Sequence, residues 1–303
     1  MGSCDIQTAE AIPTSILPES ISSNTLDNIQ ALLFVEHLES SFFTAAAANF
    51  SNWDTSNALN DSGDIIARIA DQEQTHVRIL QSMIDAYDIA PIRPCNYSFP
   101  VNSWNDFIFV AQRLTTVGMS ALIGLSGELA ETDPGLVSSL SSILTVEARH
   151  DAFLLLEEQQ IPNPQAFDTI IHMLWAQNFA LQYVIPGSCP DGVPLPVLPM
   201  IQAAINSTQH AQEQADRRID FSWDVSQMPF VVEAGRPLTA AWVGQDQEPT
   251  YTNITIDGVG KGHTDIPSNI TGQVFTAITS RQPKDEWSLE WAALSGPALV
   301  DLA

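Results

Sequence analysis

Two short segments of this chain carry the residue types that hold metal ions: Glu73-Gln74-Thr75-His76 and Glu147-Ala148-Arg149-His150. In each, a carboxylate and an imidazole stand three residues apart, so on a helix they share one face. One such pair can grip one ion. Two pairs facing each other across a four-helix bundle supply the bridging carboxylates and terminal imidazoles of a di-metal centre, and the other two helices each add one terminal carboxylate. Four carboxylates and two neutral imidazoles balance two divalent cations. That balance matters because an uncompensated charge in a bundle core costs several kcal/mol. Iron or manganese, one ion or two, suits such mixed oxygen and nitrogen donors.

The elements that must position these residues follow from hydrophobic spacing. A polar, proline-punctuated tail occupies residues 1–24. The spacing predicts a first helix over 25–48, with Leu32, Leu33, Glu36, Ser40 and Phe43 on one side, and a second over 63–87, with Ile65, Ile66, Ile69, His76, Leu80 and Met83 inward. Three prolines mark 88–102 as a crossover loop. A third helix is expected over 103–131, ended by Asp133-Pro134-Gly135, and a fourth over 136–159. An almost wholly apolar fifth helix over 164–183 completes a helical domain spanning 25–185. Beyond it, 186–220 reads as a linker with one short helix near 200–219, and 221–303 as a small β-sandwich built from PFVVEAG, LTAAWVG, TNITIDG, GQVFTAITS and ALVDLA. The fold class is thus mainly α: a four-helix bundle with an added fifth helix, then a C-terminal β-rich domain.

Glu36 is the natural ligand from the first helix, with Glu39 one turn on as the fallback. His37 points about 100° away and is not expected to bind. The third helix breaks the pattern, because its only glutamates, Glu128 and Glu131, lie beside the Asp-Pro-Gly bend. At about 1.5 Å per residue, Glu128 stands roughly 10 Å out of level with Glu147. The residues nearer that level are Thr115, Thr116, Met119 and Ser120, none of them a carboxylate.

With 303 residues and 45% apolar content the chain can bury a sizeable core. Its 11 basic against 36 acidic residues give a net charge of −25, which argues against nucleic acid and anionic membranes as partners and leaves a small-molecule substrate as the partner to consider. No apolar run is expected to reach membrane-span length, and the first residues lack a signal segment. Six sequons (Asn49, Asn60, Asn96, Asn206, Asn253, Asn269), scarce lysine and three cysteines nevertheless lean towards a secreted protein whose signal peptide is not in this chain. Cys95 and Cys189, in proline-flanked loops, are candidates for one disulfide that would leave Cys4 free. Two ordinary thiols are the alternative. His263, in a Gly-Lys-Gly-His loop, reads as a surface residue.

The segments VEHLESSFF, DQEQTHVRIL, LTTVGMSALIG and SILTVEARH resemble the four helices of a ferritin-like family that groups fungal stress-response proteins with plant desiccation-related proteins. PCNYSFP and SCP resemble loops of that family, and the likeness runs from about residue 26 to 190. The family's third-helix motif reads Leu-Glu-Gly-Val-Gly-Val-Ser-Ala. Aligned on Val117-Gly118-Met119-Ser120-Ala121, its glutamate falls at Thr115, the level the hairpin geometry indicates. The ligand set implied is therefore Glu36, Glu73, His76, Glu147 and His150, with Glu73 and Glu147 bridging and Thr115 placed to hydrogen-bond a coordinated water. With three carboxylates, one divalent ion leaves the site at −1 and two leave it at +1. A site holding no metal, its carboxylates protonated or hydrogen-bonded, is the third arrangement.

Three functions fit these residues. The first is a metal-dependent oxidoreductase or oxygen-activating protein. The second is a metal-independent cyclase or isomerase using the bundle cavity, with Phe34, Phe42, Phe43, Trp104, Phe107, Phe109 and Trp175, and also His172, as candidates to line a pocket. The third is a non-enzymatic secreted stress protein. The sequence does not indicate an oligomeric state.

Overall fold

The computed structural model describes residues 17–205, 218–226, 237–245 and 247–302. Backbone contacts divide the chain into two compact units: residues up to Pro162 with Tyr183–Leu195, and Asn163–Gln182 with Pro196 onward.

The first unit is a bundle of α1 (Ser23–Asn49), α2 (Ser62–Asp85), α3 (Trp104–Thr132) and α4 (Val137–Glu157). Hydroxyl caps start two of these helices: the Ser22 side chain accepts from the Thr25 amide, and Ser103 from the Asp106 amide. On α2 the buried positions Ile66, Ile69, Glu73, His76, Leu80 and Met83 recur at alternating steps of three and four. On α4 the same rhythm gives Leu140, Ile143, Glu147, His150, Leu154 and Glu157. Each Glu-x-x-His thus lies in the middle of an apolar stripe that packing turns inward. α1 packs on α2 and α3, and α3 on α4.

α1 has no polar face in its middle: every residue from Asn28 to Glu39 is buried. The crossover segment covers its back. Gln30 exchanges hydrogen bonds with that segment, donating to the Ala90 carbonyl and accepting from the Ile92 amide, and His37 Nε2 lies 3.1 Å from the Ile92 carbonyl. A disulfide between Cys95 and Cys189 ties the crossover to the segment after residue 183, beside an Arg93–Asp191 ion pair and backbone bonds pairing Ser98 with Tyr183 and Ile185 with Asn96. At the other end of the bundle, Glu157 on α4 accepts from the Ser62 hydroxyl and the Leu59 amide, fixing the start of α2. Among the described residues one helix, α3, is long and apolar enough to cross a membrane, contrary to the expectation that no run would be, but 83% of that stretch is buried within the protein.

The second unit holds α5 (Met173–Ala180), α6 (Glu286–Ala292) and two four-stranded antiparallel sheets. The sheets have the orders β1-β2-β6-β5 and β4-β3-β7-β8, with β1 Ile201–Ile205, β2 Arg218–Trp223, β3 Thr239–Gly244, β4 Thr250–Asn253, β5 Thr255–Gly258, β6 Lys261–Asp265, β7 Gly272–Thr279 and β8 Ala298–Leu302. Their inner faces share one core in which Ile219 and Phe221 meet Trp242, Val274, Ile278 and Val300.

Four expectations change here. The fifth helix begins at Met173 rather than 164 and falls in the second unit, its first turn held by the buried Glu290 carboxylate, which accepts from the His172 and Trp175 amides. The short helix expected near 200–219 is not one at its ends, because 201–205 pair with 219–223 as antiparallel strands, and its middle lies outside the described residues. TNITIDG is two strands rather than one: Asn253 ends β4 in one sheet and Thr255 begins β5 in the other. α6 was not foreseen. Cys4, residues 1–16 and the strand expected at PFVVEAG lie outside the described residues.

Candidate metal centre

The stripes of α2 and α4 bring both Glu-x-x-His pairs together in the bundle core. His76 Nδ1 lies 3.3 Å from Glu73 Oε2, 3.1 Å from Glu147 Oε1 and 3.3 Å from Glu36 Oε2. His150 Nδ1 lies 3.1 Å from Glu73 Oε1 and 3.3 Å from Glu147 Oε2. Each of the two glutamates therefore offers one oxygen to each imidazole, which is how a carboxylate spans two centres. One donor atom from each of Glu36, Glu73, His76 and Glu147 falls within 4.8 Å of the others, and all four residues are buried.

His150 Nδ1 pairs with Glu147 Oε2, but most of the other polar atoms here have no hydrogen-bond partner. Glu36 Oε2, Glu39 Oε1, both Glu73 oxygens, Glu147 Oε1 and His76 Nδ1 are buried without a hydrogen bond. His76 Nδ1 sits close to three carboxylate oxygens yet is aligned with none. Buried polar groups are nearly always paired, and a cluster of unpaired acceptors around two imidazoles is the donor set a cation needs. Among the described residues these glutamates make salt bridges to His76 and His150, with no lysine or arginine.

Protons take the place of that missing positive charge when no metal is bound. Burial pushes Glu36 up to about 8 despite its contact with His76, and burial with the charges of Glu147, Glu73 and Glu36 pushes Glu39 well above the usual carboxylate range. Burial works against charge on Glu73 too, but the imidazoles on either side outweigh it and hold Glu73 at about 2. Burial likewise opposes a charged His150, yet Glu147 and Glu73 raise it to about 9, and Glu36 and Glu147 raise His76 in the same way. Metal binding must displace these protons.

One residue at the site, Gln72, escaped the sequence reading. Gln72 Oε1 accepts from His150 Nε2 at 2.8 Å, which fixes the ring and leaves Nδ1 as the donor facing the carboxylates. Its neighbour Glu73 drew attention, while a glutamine carries no signal of its own. Glu39, considered only as a substitute for Glu36, is buried beside Glu36, and its carboxylate lies against Gly118 of α3.

The remaining candidates fall as follows. Thr115 is fully buried and its hydroxyl has no hydrogen-bond partner. Glu128 accepts from Asn28, and Glu131 is exposed, so neither joins the cluster. His37 faces the crossover segment. Phe42 and Phe107 line a cavity of about 420 Å³ with Ala46, Trp53 and Phe99, one turn of α1 beyond Glu39, and Trp104 lines a second hollow with Trp53. Phe34 and Phe43 are core. Phe109 is 54% exposed, with the Arg113 guanidinium over its ring. Trp175 is core of the second unit, and His172 is the residue preceding α5 there.

Residues 24–157 match the family model for the ferritin-like domain. That stretch spans α1 to α4, so the bundle has the ferritin-like fold, and it carries a buried Glu/His cluster compatible with metal binding. No curated protein matches the chain.

Proposed function

We propose that the bundle is a carboxylate–histidine metal centre and that the protein is an oxidoreductase or oxygen-activating enzyme working on a small uncharged substrate. One observation carries the reading: Glu73 and Glu147 each turn one oxygen to His76 and the other to His150, in a core that leaves those oxygens largely unpaired. Iron or manganese bound there would supply Lewis acidity and one-electron chemistry. Glu36, Glu73, His76, Glu147 and His150 would hold the metal, and Gln72 holds the His150 ring in place. Thr115 offers a buried hydroxyl that can donate or accept. The cavity beside Phe42 and Phe107 gives an apolar, stacked-ring wall suited to a substrate with little charge. That same cavity is what favours the second reading, a metal-independent cyclase or isomerase in which Glu36 and His76 move protons.

The Cys95–Cys189 disulfide supports passage through an oxidising compartment, as do the sequon asparagines 49, 60, 96, 253 and 269, all exposed. Asn206 lies outside the described residues. Kinship with fungal stress-response and plant desiccation-related proteins belongs to this reading and rests on the helix segments that resemble them.

Metal content after expression with added iron or manganese, together with melting curves in chelator and in excess metal, tests the proposal. Near-stoichiometric metal and a higher melting temperature in its presence are expected. No bound metal, with stability indifferent to added ions, overturns it in favour of the metal-independent enzyme.

A further inference from the structure

We infer that Glu39 is the fourth carboxylate of the metal centre, supplied by α1 in place of the glutamate that α3 lacks at Thr115, so that the site balances two divalent ions rather than one. This rests on the metal-binding reading above. Three separate observations bring Glu39 to the site. It follows Glu36 by three residues on the same face of α1, and both are 1% exposed. Its Oε1 is buried and has no hydrogen-bond partner. It also occupies a notch that α3 provides: a Cβ on Gly118 would come within 3.2 Å of both Glu39 oxygens.

Gly118 stands one turn from Thr115 on α3. Glycine in mid-helix weakens a helix relative to alanine, so its presence needs a local reason. Here that reason is the neighbouring carboxylate. The face of α3 that would carry its own glutamate instead carries a short hydroxyl residue and a glycine against which the carboxylate of α1 lies. With Glu36, Glu39, Glu73 and Glu147 the cluster brings four negative charges, which two divalent ions neutralise with both imidazoles neutral.

The test is manganese stoichiometry by elemental analysis of the full chain, reconstituted with Mn(II) and desalted. The parent is expected to hold about two ions per chain, Glu39→Gln about one or fewer, and Glu39→Gln/Thr115→Glu about two again. Glu39→Gln keeps the shape of the side chain, and its metal-free melting curve checks that it folds. Gly118→Ala is expected to weaken the second ion by crowding Glu39. The same stoichiometry in parent and Glu39→Gln would overturn the assignment, leaving Glu39 a neutral acid of the core. A parent that binds no manganese would overturn the metal reading itself, a result distinct from the first.

Discussion

This chain gathers acidic residues and histidine twice, with opposite results. In the bundle, Glu36, Glu73, His76 and Glu147 are buried, and among the described residues no lysine or arginine pairs with the glutamates. On the β1-β2-β6-β5 sheet, Asp220, Asp257 and His263 also lie within 4.8 Å of one another, but they are partly exposed. There Arg218 bonds Asp220 at 2.8 Å through Nε and reaches Asp257 at 3.6 Å, while His263 Nδ1 lies 2.7 Å from Asp257. The second cluster already contains its cation and has water for the rest. The first has neither. Residue type does not separate a metal centre from an ion-pair network; burial and the presence of a resident cation do.

The sharpest way to break this contrast is to remove a bridging group from one cluster and the histidine from the other. Metal at a thousandfold excess over its dissociation constant should stabilise the parent by about 4 kcal/mol. Glu73→Gln should erase that gain, while His263→Ala should keep it, as read by melting with and without manganese. Equal responses in the two variants would end the distinction. Next in size, Gln72→Leu should weaken metal binding by about 10- to 100-fold, the range for a partner that orients a ligand, measured by titration.

A pH series sharpens the comparison further. Glu36 and His150 have folded values near 8 and 9, above the ordinary 4.5 and 6.5. Groups raised on folding contribute stability that is full below their unfolded values and lost as pH rises through the folded ones. Glu73, held at about 2, keeps its contribution throughout that window. The metal-free bundle should therefore melt lower as pH climbs from about 5 to about 9, whereas excess manganese should stabilise it more as pH rises, because binding releases protons. Parallel curves would contradict the proton-for-metal exchange. Smallest of all, Asp257→Asn should change stability by no more than about 0.5 kcal/mol, since its pairs are solvent-screened.

The bundle was legible because several signals agreed. The Asp-Pro-Gly stop and the three-four stripes indicated the same four helices. Glu128, set aside on the level argument, accepts a hydrogen bond from Asn28. What stayed hidden depends on contacts distant in sequence. Nothing local shows that Glu290 closes the start of α5 some 115 residues earlier, so the apolar stretch before Met173 looked helical. Residues 201–205 become a strand only because 219–223 pair with them. Glu39 and Gly118 are unremarkable apart; only the packing of α1 against α3 shows that one fits the other.

The Cys95–Cys189 bond has a consequence for survival after proteolysis. Glu36, Glu73 and His76 precede Cys95, whereas Glu147 and His150 lie between the two cysteines. A backbone cut anywhere from the start of α3 to the turn after α4 leaves two pieces that the disulfide still joins. The Glu/His groups of both halves would remain tethered in one covalently joined molecule.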